Sequence, residues 1–215
     1  SALPERASLS LYVHVPFCDT LCWFCGCHTK ITNRAAPVTR YLDTLLAEIA
    51  LVAERLGRGR PVAHIHLGGG SPSLLSPGEL KRLAEALHRA FAILPDAEFA
   101  IEIDPRNVEV GRARALADIG VNRASLGVQD FDPAVQGAVN RIQPVETIAR
   151  VAEMLRGHGI ARLNFDLMYG LPLQTIGGFA ETVERALALA PDRLALFGYA
   201  HVPWMKRHQK LLPAA

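Results

Sequence analysis

Short runs in which hydrophobic and polar residues alternate recur along the chain, separated by longer stretches with helical periodicity. The runs predict strands over 10–15, 63–67, 98–103, 123–128, 163–168 and 193–199. The stretches between them predict helices over 38–56, 77–91, 108–119, 145–158 and 179–189. In the fourth helix Val145, Ile148, Ala149, Ala152 and Leu155 share one stripe. Ser76, Pro77 and Glu79 make a start signal, and Gly57, Gly120 and Gly159 stand where helices should stop. Such alternation implies parallel strands joined by right-handed crossovers.

An open sheet and a barrel give nearly the same pattern, and the polar positions favour a barrel. Parallel strands covered on both faces normally read as continuous apolar runs. Here Val13 and Val15 oppose Tyr12 and His14, Ile65 and Leu67 oppose His64 and His66, and Ile101 and Ile103 oppose Glu102 and Asp104. Leu126 and Val128 oppose Ser125 and Gln129, and Phe165 and Leu167 oppose Asn164 and Asp166. One face of each strand is therefore polar or small. Buried polar groups without partners cost roughly 1–3 kcal/mol each, so an interior built this way should be wet or hold a polar ligand. The competing explanation, an antiparallel sheet with one exposed face, fits poorly with the intervening helices. The expected fold is α/β, a partial (β/α)6 TIM-like barrel with its mouth at the carboxyl ends of the strands. The expected organisation is an N-terminal extension over 1–10, the barrel over 11–204, and the start of a further region over 205–215.

Composition narrows the class of molecule. Half of the residues are hydrophobic, a fifth are charged and the formal charge is +2. Nothing marks a nucleic-acid surface, and no apolar run reaches the roughly 20 residues of a membrane helix. Residues 1–10 lack the features of a secretory signal. A cytoplasmic, monomeric protein is expected. All four cysteines lie between Cys18 and Cys27. That clustering reads as a metal site in a reducing compartment rather than a disulfide framework.

The cysteine loop follows the first predicted strand, with Cys18, Cys22 and Cys25 spaced C-x3-C-x2-C and Cys27 two residues on. Thiolates suit zinc and iron–sulfur clusters. A structural zinc site usually draws a second ligand pair from elsewhere, and the chain has none. Three sulfurs on a compact loop, beside Phe17, Trp23 and Phe24, suit a cubane with one iron left open.

This motif resembles the radical S-adenosylmethionine superfamily. Residues 12–27, 66–73, 102–106, 127–131, 140–143, 164–172 and 199–203 together resemble the oxygen-independent coproporphyrinogen III oxidases. The resemblance implies a 4Fe-4S cluster on Cys18, Cys22 and Cys25, with S-adenosyl-L-methionine on the open iron. It implies cofactor contacts at Tyr12, Phe24, Gly69, Gly70, Ser71, Glu102, Gln129, Arg141, Asp166 and Ala200. It makes Cys27 a neighbour of the cluster, although by spacing alone Cys27 reads equally as a spare ligand or a small buried thiol.

The activity implied is conversion of two coproporphyrinogen III propionates to vinyl groups by a 5′-deoxyadenosyl radical, yielding protoporphyrinogen IX. The partners implied are a porphyrinogen substrate and an electron donor such as flavodoxin or ferredoxin. A heme chaperone or another heme-modifying radical protein is the alternative, and Cys27 favours the oxidase. Family members are longer than this chain, so the resemblance implies a truncated C-terminal part. Residue chemistry leaves several points open. The glycine run at Gly68–Gly70 fits a tight turn as well as a ligand. Glu102 and Asp166 could instead be ion-paired with Arg106, Arg123 or Arg141. His14, His64 and His66 read more readily as hydrogen-bonding groups than as ligands, and Arg34 and Arg106 are candidates for steering substrate carboxylates.

Overall fold

The computed structural model describes residues 7–213. The first strand is β1 (Leu9–Val15), followed by two very short strands, β2 (Phe17–Cys18) and β3 (Lys30–Ile31), paired in parallel. After these come α1 (Ala35–Leu56), β4 (Pro61–Gly69), α2 (Pro77–Ala90), β5 (Ala92–Ile103), α3 (Val110–Asp118) and β6 (Arg123–Gln129). The chain continues through α4 (Pro133–Ala138), α5 (Val145–Gly157), β7 (Arg162–Tyr169), α6 (Ile176–Ala188) and β8 (Arg193–Gly198). The main sheet runs β1-β4-β5-β6-β7-β8 with every neighbouring pair parallel. This is the expected α/β architecture, an open six-stranded (β/α) barrel. Of the expected N-terminal extension, residues 1–6 lie outside the described residues, and Leu9 and Ser10 already belong to β1.

The alternation in the sequence sets which side of each strand is buried under helices. Val13, Ile65, Leu67, Ile101, Leu126, Phe165 and Leu167 form one core with Leu42, Leu80, Leu87, Leu116, Ile148 and Leu155 of the helices. At roughly 25 cal/mol per Å² of apolar area buried, this layer is the main source of stability. The opposite sides of the strands carry the polar residues into the barrel. Ser76 caps α2 as expected, accepting from the Glu79 backbone N–H at 3.3 Å while the Glu79 carboxylate accepts from the Ser76 backbone at 2.9 Å.

Three boundaries differ from the sequence pattern. β5 starts at Ala92 rather than residue 98, across Pro95 and Asp96, because a register shift against β4 absorbs the irregular residues. α6 starts at Ile176, three residues early, with the Thr175 hydroxyl accepting from the Gly178 N–H at 3.0 Å. Its paired glycines, Gly177 and Gly178, hide that first turn. The short α4 follows Asp132, whose side chain accepts from the Ala134 N–H at 2.7 Å, and carries Pro133 as its first helical residue. Residues 207–211 form a final 3-10 turn that packs back towards the cysteine loop. Among the described residues no helix is long and apolar enough to cross a membrane.

Candidate functional site

The carboxyl ends of the strands open into a cavity of about 460 Å³, and the cysteine loop forms one of its walls. Cys18, Cys22, Cys25 and Cys27 all line it. So do Phe24, Gly69, Gly70, Ser71, Glu102, Gln129, Arg141, Asp166 and Ala200. Residues taken from seven different segments of the chain thus meet at one mouth. Tyr12 is not among the lining residues; its ring stacks on His66 and its hydroxyl lies 3.2 Å from His14 Nδ1.

The loop is held from several directions by contacts the sequence pattern did not reveal. Asn140 Nδ2 donates to the Leu21 carbonyl at 2.8 Å, and the Trp23 N–H donates to the Val139 carbonyl at 3.0 Å. Gln209 Nε2 donates to the Phe24 carbonyl at 2.9 Å, His208 Nε2 to the Cys25 carbonyl at 2.7 Å, and Lys206 Nζ to the Cys27 carbonyl at 2.8 Å. Beneath the loop, Cys22 and Phe24 pack with Val135, Val139 and Leu171 as a separate apolar cluster. The missed helix α4 is therefore part of the site's foundation.

Glycine enters for a steric reason. A Cβ on Gly70 would stand 2.5 Å from the Phe17 carbonyl oxygen and 2.8 Å from its nitrogen. The Gly70 N–H bonds to the Val15 carbonyl at 2.9 Å and the Ser71 N–H to the Phe17 carbonyl at 2.7 Å. The run thus lets the end of β4 dock against the chain that enters the cysteine loop, in addition to lining the cavity. Gln129 also lines the cavity and holds φ at +67°, a strained value for a residue with a Cβ. The adjacent Asp130 fixes it: its carboxylate accepts from the Thr182 hydroxyl at 2.8 Å and from Gln174 Nε2 at 2.5 Å.

The carboxylates sort into two groups. Glu98 faces Arg123 at 2.9 Å, and Asp104 faces Arg106 at 2.6 Å and Arg141 at 3.2 Å. Burial raises the Asp104 carboxyl, but Arg141 and Arg106 outweigh it and hold it below the ordinary value. Glu102 and Asp166 have no arginine partner among the described residues. Glu102 accepts from the Gly69 N–H at 3.0 Å and lies 3.1 Å from His66 Nε2. Asp166 accepts from Asn164 Nδ2 at 2.7 Å and from the Ser125 hydroxyl at 3.4 Å. Burial pushes Asp166 up to about 6, and the charge on Glu102 adds to the effect despite those hydrogen bonds. The internal ion pairs the sequence allowed for Glu102 and Asp166 are instead made by Glu98 and Asp104.

The thiols differ in character. Burial, followed by the neighbouring Cys25 and Cys22, pushes Cys18 up to about 12. Cys25 is lowered to about 6, chiefly because the Cys27 thiol donates to it, with His208 and Arg141 nearby, and Cys27 is raised in turn. Cys22 Sγ accepts from Arg141 Nη1 at 3.3 Å and from Arg106 Nη2 at 3.6 Å. Arg106 is therefore tied to Asp104 and Cys22 and does not line the cavity as a steering group. Arg34 precedes α1 and is also absent from the lining. Among the described residues no three His, Cys, Asp or Glu side chains converge on a single metal ion. A cubane takes each thiolate on a different iron, so its ligands ring a cavity rather than meet at one point. The donor set here, three thiols around a cavity with guanidinium N–H groups on one sulfur, fits such a cluster.

Similarity to known proteins places the chain in a family. Residues 12–186 match the family model described as the radical SAM superfamily. The oxygen-independent coproporphyrinogen III oxidase of Bradyrhizobium diazoefficiens is 55% identical over 212 residues, covering 99% of this chain and 47% of that protein. The Paracoccus denitrificans protein of the same name is 48% identical over 215 residues, covering 100% of this chain and 48% of the relative. Among solved structures, the coproporphyrinogen III oxidase of Escherichia coli, described as a radical SAM enzyme, superposes with a TM-score of 0.93 at 44% identity, covering 99% of this chain and 49% of that one. The chain spans about half the length of the relatives it matches. With residues 12–186 matched, the chain belongs to the radical SAM superfamily.

Proposed function

We propose that this chain forms the catalytic core of an oxygen-independent coproporphyrinogen III oxidase, acting on a porphyrinogen substrate. The observation that carries the reading is the meeting of Cys18, Cys22 and Cys25 with Glu102, Gln129, Arg141 and Asp166 around one cavity. Cys18, Cys22 and Cys25 would hold a 4Fe-4S cluster, and S-adenosyl-L-methionine would occupy the rest of the cavity. When bound, the cluster supplies the electron that cleaves the sulfonium to give the radical oxidant.

The protein's own residues bind and orient. Glu102, braced by the Gly69 N–H, and Asp166 offer acceptors to hydroxyl and ammonium groups of the cofactor. Gln129 adds an amide, Ser71 a hydroxyl, and Phe24 and Ala200 apolar contact for the adenine. Gly69 and Gly70 let backbone groups approach the methionine end closely. Arg141, already bonded to Asp104, Cys22 and the Gly127 carbonyl, fixes the cluster side of the cavity and remains a candidate for the cofactor carboxylate. Tyr12, whose exposed ring stacks on His66 beside Glu102, is a further proposed contact of the cofactor. The proposed electron donor is a flavodoxin- or ferredoxin-like protein, and the working state is a cytoplasmic monomer. The relatives carry the oxidase name, which supports this reading over a heme chaperone.

The test uses the full-length protein reconstituted anaerobically with iron and sulfide. About four irons per chain are expected, against a single zinc for a structural site. With coproporphyrinogen III, S-adenosyl-L-methionine and a reductant, vinyl-bearing product and carbon dioxide should appear. Tight heme binding without decarboxylation would overturn the oxidase reading in favour of a chaperone.

A further inference from the structure

We propose that Arg106, balanced by Asp104, tunes the reduction potential of the cluster through an N–H bond to the sulfur of Cys22. The inference rests on the cluster assignment above and goes beyond it. Arg106 lies in the 3-10 turn Pro105–Asn107, directly after β5. Asp104 Oδ1 accepts from the Arg106 backbone N–H at 3.1 Å and from its Nε at 3.0 Å, while Oδ2 accepts from Nη2 at 2.6 Å. These bonds cap the turn and lock the guanidinium plane. So locked, Arg106 Nη2 also reaches Cys22 Sγ, 3.6 Å away, in addition to the 3.3 Å contact from Arg141.

An ordinary ion pair would need only Asp104 and one arginine. Here two guanidiniums share one carboxylate, and both direct an N–H at the same sulfur. The side chains of Arg106 and Asp104 are only 16% and 13% exposed, so water screens their charges weakly. Hydrogen bonds to a ligating sulfur and nearby positive charge favour the reduced, more negative cluster. The chemistry is a one-electron reduction with no atom transferred, the electron coming from an external donor. Removing Arg106 takes away a donor and a positive charge, so the cluster should become harder to reduce. Removing the charge of Asp104 leaves two guanidiniums less compensated, so it should become easier to reduce.

The experiment is a potentiometric titration of full-length wild type, Arg106→Gln, Arg106→Lys and Asp104→Asn, after iron has been counted. Dithionite is the reductant, and the reduced cluster is followed by electron paramagnetic resonance. At the potential where wild type is half reduced, Arg106→Gln should be less than half reduced and Asp104→Asn more than half. Arg106→Lys should fall between wild type and Arg106→Gln. A fold defect would not move the two substitutions in opposite directions. Equal reduction of iron-replete Arg106→Gln and wild type overturns the inference while leaving the cluster assignment intact. Should Arg106→Gln lose its iron, an unshifted Asp104→Asn overturns it equally. Wild type that takes up no iron overturns the cluster assignment itself.

Discussion

Asp166 gives the most direct test of how the barrel interior is built. Its carboxyl is buried beside Glu102 with Asn164 and Ser125 as its partners, and its pKa is lifted from 3.8 to about 6. A folded-state pKa above the unfolded one means that folding favours the protonated form. The associated stability is fully present below pH 3.8 and is lost as the pH rises through about 6. A shift of about two units corresponds to about 3 kcal/mol in all, of which about 1.5 kcal/mol is lost between pH 5 and pH 8.

Asp166→Asn keeps an oxygen for Asn164 and removes the titration. Its stability relative to wild type should therefore rise by about 1.5 kcal/mol between pH 5 and pH 8. The measurement is urea unfolding of cluster-free, reduced protein at several pH values, followed by far-ultraviolet circular dichroism. Only the difference between variant and wild type matters, because titrating groups that are not coupled to Asp166 cancel in it, which leaves Asp166 and the neighbouring Glu102. A difference that stays flat from pH 5 to pH 8 would refute the claim that burial controls this carboxyl. The same proton should leave when a cationic ligand binds, so S-adenosyl-L-methionine should bind wild type more tightly at pH 7.5 than at pH 5.5. In Asp166→Asn that dependence should weaken.

Gly70→Ala forces a Cβ against the Phe17 backbone, which cannot rotate away, and should destabilise the fold by about 1–3 kcal/mol in urea unfolding while lowering iron uptake. Glu102→Gln replaces the charged acceptor of the Gly69 N–H and should weaken S-adenosyl-L-methionine binding by about tenfold in calorimetry; an unchanged affinity removes Glu102 from the cofactor site. Gln209→Leu strips donors from the Phe24 and Ala200 carbonyls and the acceptor of the Val202 N–H. It should release iron to a chelator faster than wild type, and equal rates would mean that the 3-10 turn does not hold the loop. Because the loop's supports are protein groups, cluster-free protein should still unfold cooperatively, unlike a metal-dependent finger.

Much of the fold could be read from periodicity because one physical effect, the burial of one strand face under helices, sets it. The six strands and five longer helices follow from that effect. The capping box at Ser76 was legible because its partners are three residues apart. β5 was read short because Pro95 and Asp96 look like a turn, and only its pairing with β4 shows otherwise. α4 was missed because six residues are too few for a periodic signal; Asp132 followed by Pro133 was the available clue. The cysteine loop stood out by spacing, but its supports did not. Arg106, Asn140, His208 and Gln209 reach the loop from 84, 119, 183 and 185 residues away. They act on backbone carbonyls and one sulfur, so the loop's own side chains carry no trace of them.

The two groups of acidic residues explain why this interior suits a cationic ligand. A barrel could neutralise every buried carboxylate with arginine, as it does at Glu98 and Asp104. Nearer the mouth, Arg141 and Arg106 are committed to Asp104 and Cys22, on the side where thiolates would bring negative charge. Glu102 and Asp166 line the same cavity with no guanidinium bonded to either, and burial keeps Asp166 easy to protonate even though Arg123 pulls the other way. A cavity whose sulfurs are backed by fixed positive charge, and whose Glu102 and Asp166 have no guanidinium bonded to them, favours a ligand that brings a cationic centre to those carboxylates. A neutral or anionic occupant would leave Glu102 and Asp166 repelling each other; a sulfonium or ammonium group beside them would relieve that repulsion. The polar face that made the strands look unusual thus fits a binding surface whose charge is completed by its ligand.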